Sequence, residues 1–342
     1  MEKKGGFAAA LLRWYDREAR RFPWRTPPGH GQADPYRVLV SEVMLQQTTT
    51  AVVETRYPEF MARFPDLAAL AEAPEAEVLA AWAGLGYYRR ARALHACARA
   101  LVSRHGGVFP KDEASLRQLP GIGPYTGAAI AAIAFDEPVV VVDGNIERIV
   151  ARLFAIDAPL PRGKTAIRNA AATLTPDARP GDFAQAMMDL GARVCRPRAP
   201  VCSSCPVMSF CDALATGRIE DYPVKQRKPQ KRRVKGDILV LTNDAGAIFC
   251  EERPADGLFA GMLGLPGGGW DGRLRPPIPR HLSFCGGISH VLTHRVLDID
   301  VYRGSADCAA GPGRWVQPDE AARAMPTLFR KALERGLNPG DP

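Results

Sequence analysis

The chain has no run of about 18 apolar residues, so it carries no sequence signal for a membrane-spanning helix. A secretory signal is missing too. The opening stretch MEKKGGFAAALLRWYDRE returns to charge soon after a short apolar patch, and a cytoplasmic location without membrane association is expected. There is no internal repeat and no long low-complexity tract, which leaves an ordinary globular protein. Acid is in short supply relative to base: 37 Asp and Glu against 45 Lys and Arg give a net charge of +8, which favours a polyanionic partner. At 342 residues and 46% hydrophobic, the chain is long enough for two domains, each with its own core.

Cysteine is sparse except in one place. Cys97, Cys250, Cys285 and Cys308 are scattered, whereas Cys195, Cys202, Cys205 and Cys211 crowd into CRPRAPVCSSCPVMSFC with the spacing C-x6-C-x2-C-x5-C. In a reducing compartment such a group binds metal rather than forming disulfides. Four thiolates suit either a [4Fe-4S] cluster or an all-thiolate zinc site. The second close C-x2-C pair usual for zinc is absent here.

Two halves are legible. From Phe7 to about Ala215, segments such as ARALHACARALVSRHG and IERIVARLFAI repeat apolar residues every three or four positions, which predicts an all-α domain over 1–216. KQRKPQKRRVK, Lys225–Lys235, carries seven Lys or Arg and no acid, and reads as the end of a basic linker spanning 217–235. Beyond it, GDILVLTNDAGAIFCEERP predicts a β-hairpin turning at Asn243–Gly246, and HRVLDIDVYRG alternates as a strand does. The second domain, 236–338, is therefore expected to be small and α+β.

Between Leu119 and Ile130 the sequence LPGIGPYTGAAI places Gly121 and Gly123 immediately before an alanine-rich helix. The glycines permit a tight turn with positive φ, and the exposed N–H groups of the helix start can receive a phosphate without reading sequence. As an isolated motif this is equally well a plain helix–helix connection. The stretch resembles the helix-hairpin-helix element, here near 116–131, of the endonuclease III superfamily of DNA glycosylases, and VVVDGNIERIV supplies an aspartate, Asp143, some 20 residues on. WRTP, VSEVMLQQT, GLGYYRRAR, VDGN, FAQAMMDLGARVC and the four cysteines, all in order, resemble the adenine DNA glycosylases of the MutY type. GLFAGMLGLPGG and SHVLTHRVLDID resemble that family's Nudix-like recognition domain. This copy is shortened, and no acidic Nudix helix stands between Gly267 and Ser289 to hold a metal for pyrophosphate hydrolysis.

The resemblance implies a helical glycosylase domain with a [4Fe-4S] cluster on Cys195, Cys202, Cys205 and Cys211, followed by the small α+β domain. It implies a monomer that acts on double-stranded DNA containing adenine opposite 8-oxoguanine or guanine. Glu42, in the apolar VSEVML, is expected to be buried and protonated near neutrality, and the resemblance makes it the acid that protonates adenine. Asp143 precedes Gly144 at a helix start, where the dipole favours its charged form, and the resemblance sets it against the sugar cation. Glu42 could instead be a first-turn acid after an N-cap Ser41, and Asp143 a simple cap. Tyr125 stands where strand-cleaving relatives carry a lysine, which implies a monofunctional enzyme; Tyr125 and Asn145 are expected to orient the carboxylates. Trp24, Arg25, Gln47 and Gln185 are expected to line the adenine pocket. Tyr87 is the expected wedge into the base stack, with Gly121 and Gly123 on phosphate and Thr293 and His294, in Leu292-Thr293-His294, on the opposing base. Another glycosylase of the superfamily and a non-catalytic iron–sulfur DNA-binding module are the alternatives.

Overall fold

The computed structural model describes residues 2–226, 230–254, 256–272, 278–292, 294–305 and 312–338. The chain divides into two compact units, Met1–Arg227 and Lys228–Pro342. Among the described residues the first unit contains no strand, only helices and turns joined by one isolated bridge, Leu160 to Lys225.

In chain order its helices are α1 (Glu2–Glu18), α2 (Pro35–Leu45), α3 (Thr50–Arg63), α4 (Leu67–Glu72), α5 (Glu75–Ala81) and α6 (Arg89–His105). They continue with α7 (Glu113–Leu116), α8 (Pro124–Phe135), α9 (Gly144–Leu153), α10 (Lys164–Leu174), α11 (Pro180–Arg193) and α12 (Asp212–Ala215). Helix α2 starts at Asp34, whose side chain accepts from the Tyr36 N–H at 2.8 Å, with Pro35 in the first turn where its missing N–H is harmless. Ser41 and Glu42 therefore lie in the helix interior, not at its start. From Tyr36 to Met44 all but one residue of α2 is buried, and α8 is buried from Thr126 to Ala134, so these two apolar helices form the centre. Small side chains on α8, chiefly alanine, let α2, α7 and α11 approach it closely.

The helical unit extends beyond the boundary expected at 216. Tyr222 is buried, its hydroxyl donates to Asp157 at 2.9 Å, and its carbonyl accepts from Arg152 Nε at 3.1 Å. The Leu160 N–H donates to Val224 O at 2.8 Å, so the first part of the stretch read as linker packs back onto the helices.

In the second unit a mixed sheet runs β3–β2–β1–β6–β5, with β4 against β1 and β7 against β2. The strands are β1 (Arg232–Thr242), β2 (Ile248–Glu252), β3 (Leu263–Gly264), β4 (Gly267–Gly268), β5 (Ser283–Val291), β6 (Arg295–Ser305) and β7 (Arg314–Val316). β1 and β6 pair in parallel over their whole length, Arg232 opposite Arg295 through Thr242 opposite Ser305. The β1–β2 hairpin turns where the sequence places it, with Gly246 at φ +72° and Asn243 Oδ1 accepting from the Ala247 N–H at 2.9 Å. Two helices, α13 (Pro318–Ala324) and α14 (Thr327–Leu337), follow; Phe329 of α14 and Trp270 meet edge to face in the core, 5.7 Å apart. Basic residues of the former linker are absorbed here as well: Arg233 on β1 forms a two-point ion pair with Asp298 on β6.

Candidate active site

A cavity of about 450 Å³ opens in the helical unit, lined among others by Trp24, Arg25, Glu42, Tyr125, Asp143 and Gln185. Glu42 reaches it from the interior of α2, is 7% exposed, and lies beside the Tyr125 hydroxyl. Burial pushes its carboxyl up to about 7; the nearby Asp143 charge acts in the same direction, while the Tyr125 hydroxyl and Arg25 oppose it. Tyr125, in the first turn of α8, has its phenol raised well above the ordinary value by burial and by the two carboxyls. It stays a neutral donor.

Asp143 arrives differently. It caps α9, Oδ1 accepting from the Ile146 N–H at 2.7 Å, while Oδ2 accepts from Asn145 Nδ2 at 2.9 Å. Capping and facing the cavity are thus done by one carboxylate. Asn145 is itself held by Arg148, whose Nη2 donates to Asn145 Oδ1 at 3.0 Å and whose Nε donates to the carbonyl of Cys195 at 2.8 Å. A continuous hydrogen-bonded path therefore joins Asp143 to the start of the cysteine loop.

The walls contain residues that the sequence did not single out. Trp24 stacks on Phe22, centroids 4.7 Å apart and planes within 6°. Arg25 donates to the fully buried Asp189 at 2.8 Å, and Arg20 holds the other oxygen of the same carboxylate at 2.7 Å. Gln185 is buried and donates weakly to Gly181 O at 3.4 Å. Gln46 lines this cavity and also a neighbouring one of about 400 Å³, where Gln47, at φ +57°, joins it with Tyr87, Arg90 and Gly121. Gln47, expected beside the base, stands on that second cavity, since α2 ends at Leu45 and Gln47 itself takes a left-handed backbone. An acid inside the apolar AMMDLGA was the available sequence signal for Asp189; nothing in the sequence chose between Gln46 and Gln47.

Tyr87 is 64% exposed with φ +48° on the lip of the second cavity. In the hairpin between α7 and α8, Gly121 has φ +76°, and a Cβ there would stand 2.6 Å from Ala93 Cβ. Gly123 is different from what the turn reading expects: it is extended, φ −87° and ψ 177°, caps α8, and has nothing within 4 Å of a would-be Cβ. It leaves the helix start open rather than making the turn.

The four clustered cysteines are unbridged and partly buried. Burial pushes the Cys205 thiol up to about 11, with charge at Cys195, Cys211 and Cys202 acting in the same direction. Among the described residues no group of three or more His, Cys, Asp or Glu is arranged to hold a metal ion. Arg152, 1% exposed, donates from Nη1 to Cys195 Sγ at 3.3 Å and to Arg196 O at 2.8 Å, a cation beside the thiols that suits an anionic cluster. Arg193, at the end of α11, is paired with Glu18 at 3.1 Å.

In the second unit His294 is exposed in the tight β5–β6 turn, closed by the Leu292 N–H donating to Arg295 O at 2.9 Å. Leu292 is partly buried against the unit's core, and Thr293 lies outside the described residues.

Residues 40–174 match the HhH-GPD superfamily of base excision DNA repair proteins, and residues 237–335 match the NUDIX domain. The chain is 35% identical to adenine DNA glycosylase from Homo sapiens over 98% of this chain and 75% of that one. It is 39% identical to adenine DNA glycosylase from Mycolicibacterium smegmatis, covering 69% of this chain and 80% of the relative. Among solved structures, a thermostable thymine-DNA glycosylase matches with TM-score 0.57 and 29% identity over 63% of this chain and 98% of the other. A trapped endonuclease III–DNA covalent intermediate matches with TM-score 0.52 at 20% identity, over 63% of this chain and 97% of the other, a likeness of fold. Among the described residues no helix is long and apolar enough to cross a membrane.

Proposed function

The chain belongs to the adenine DNA glycosylase family, and from that premise we propose that this base excision repair enzyme removes adenine mispaired with 8-oxoguanine or guanine in duplex DNA. The observation that carries the reading is the pair of unlike carboxyls on one cavity: Glu42, buried and raised to about 7, and Asp143, held by two donors. Unlike environments for two acids are what N-glycosidic cleavage requires.

A base in a duplex must first be extruded, at a cost of a few kcal/mol. Tyr87 on its exposed lip is placed to fill the vacated stack, and the N-terminus of α8 at Gly123 to hold a phosphate. Trp24, Arg25, Gln46 and Gln185 then surround the base. Glu42 transfers its proton to N7 of adenine, the C1′–N9 electron pair leaves with the base, and Asp143 faces the cation left on the sugar. Water adds at C1′ and loses a proton, leaving an abasic site. Tyr125 offers no amine for a Schiff base, so the reaction stops before strand cleavage. Cys195, Cys202, Cys205 and Cys211 hold a [4Fe-4S] cluster that braces the loop; the chain itself supplies the bonds that pass from Cys195 to Asp143. Thr293 and His294 contact the opposing base. The protein acts as a monomer.

The test is alkali-developed strand cleavage after single-turnover incubation with duplexes holding adenine opposite 8-oxoguanine, thymine opposite guanine, or thymine glycol. Excision from the first alone is expected. Excision from either of the others in its place would assign the chain a different base, and binding without turnover would make it a DNA-binding module.

A further inference from the structure

Arg90 is used by nothing above, yet it is among the most heavily bonded side chains in the helical unit. It stands in the first turn of α6. Its Nη1 donates to Val43 O at 2.9 Å and Met44 O at 3.0 Å, both in the last turn of the helix that carries Glu42. Its Nη2 donates to Leu85 O at 2.8 Å and Gly86 O at 3.2 Å, in the loop leading to Tyr87, and to Thr48 Oγ1 at 3.0 Å. Carbonyls at a helix C-terminus carry partial negative charge, so a cation is favoured there without a carboxylate partner. The guanidinium also faces the rings of Trp82 and Tyr87, at 5.4 and 5.6 Å from their centroids.

On both sides of this fork the backbone is held in a conformation it would not choose. Tyr87 at φ +48° and Gln47 at φ +57° are both left-handed, and neither is glycine. Such residues persist only where their surroundings hold them, and they collect at working sites. Both line the cavity of about 400 Å³ that Arg90 also lines. One side chain therefore ties together the exposed aromatic, the end of the helix bearing Glu42, and the strained link between the two cavities.

We propose that Arg90 is a positioning residue for base extrusion: it locks the Tyr87 loop to the carbonyl end of α2, so that insertion of Tyr87 and seating of the extruded base at Glu42 form one event. This rests on the reading of the first cavity as the base pocket. The geometry requires a fork. A lysine at the same place offers three donors at one point and cannot span the α2 carbonyls and the loop together. Arg90 has no hydrogen bond to Glu42, so its removal should leave the acid's titration where it is.

The experiment compares the parent with Arg90→Met, Arg90→Lys and the milder Thr48→Val, using the full chain and a duplex with adenine opposite 8-oxoguanine. Single-turnover excision is followed against pH, and extrusion by stopped-flow fluorescence of 2-aminopurine placed beside the target adenine. For Arg90→Met, excision should fall between roughly ten- and a hundredfold, the loss typical of misplaced reacting groups. The extrusion signal should fall in step, with an unchanged pH midpoint. Lysine should not restore it, and Thr48→Val should move both readings the same way by less. If Arg90→Met does not fold, Thr48→Val alone decides between the outcomes. Slow excision with normal extrusion, a displaced pH midpoint, full rescue by lysine, or no change in Thr48→Val would each overturn the proposal. If the parent itself releases no adenine, it is the base-excision reading that fails, and that control is read first.

Discussion

At the scale of single residues, the chemistry depends on where each carboxyl was put. Glu42→Gln keeps shape and removes the proton, so DNA binding should survive while excision falls by ~10²–10⁴-fold, measured in single turnover. Asp143→Asn should lose excision similarly. In the proposed mechanism the protonated form of Glu42 acts, so the parent's rate should hold below pH 7 and drop as pH rises through about 7. Linkage has the same sign. The folded-state value lies above the ordinary 4.5, so the stabilising contribution is full below that value and is lost as pH rises through about 7. Glu42→Gln should therefore gain stability relative to the parent between pH 5 and 8, by on the order of 3 kcal/mol at most, as read by urea unfolding at the two pH values. Tyr125→Lys would place an amine beside both carboxyls; borohydride should then trap the variant, and not the parent, on abasic DNA. Equal trapping of both would remove Tyr125 from its assigned place. Glu42 was legible as a buried acid from its apolar neighbours, and Asp143 as a helix-start acid from the following glycine. The choice of Gln46 over Gln47 was not, since it turns on one left-handed residue after α2 ends.

At the scale of elements, the two hairpin glycines should separate cleanly. Gly121→Ala meets both a left-handed backbone at φ +76° and the Ala93 methyl, so it should cost about 1–3 kcal/mol of stability and lower the melting temperature. Gly123→Ala meets neither obstacle, and its methyl would stand in the open approach to the α8 amides. It should leave melting nearly unchanged and weaken DNA binding in a titration at fixed salt. If Gly123→Ala binds as the parent does, the anion site at this helix start is wrong. The cysteine loop is the other element with a direct test. Purified protein should contain iron and acid-labile sulfide with broad visible absorbance; a colourless sample with full zinc loading would reject the cluster. Hairpin position and cysteine spacing were plain in the sequence. The distinct tasks of the two glycines were not, because composition does not say which glycine carries the positive φ.

For the whole molecule, the question is what the second unit adds. The parent should excise adenine faster opposite 8-oxoguanine than opposite guanine. His294→Ala, which removes one exposed donor, should narrow that difference by roughly 0.5–1.5 kcal/mol, about one hydrogen bond. A chain ending near Gln226 keeps the bonds between Leu160 and residues 224–226, and should retain excision while losing most of the discrimination. Equal discrimination by the shortened chain would withdraw the second unit as reader of the opposing base. Leu292 is occupied against the core of its own unit, so this reading depends on polar contacts rather than on stacking.

The sequence by itself determined the two-part plan, the helical period of the first part, the strand pattern of the second, the clustering of the four cysteines and the apolar setting of Glu42. These follow from local patterns: periodicity, spacing, and an acid set among apolar neighbours. Tertiary structure alone decided that Tyr125 and Glu42 meet on one cavity, that Arg20 and Arg25 share Asp189, and that the tail around Tyr222 closes back onto the helices. It also decided that Arg90 joins two segments some 40 residues apart in sequence. Contacts between residues far apart in the chain leave no periodic mark on it. They are fixed by which helix faces pack and by where buried donors find acceptors, and only the folded chain supplies both.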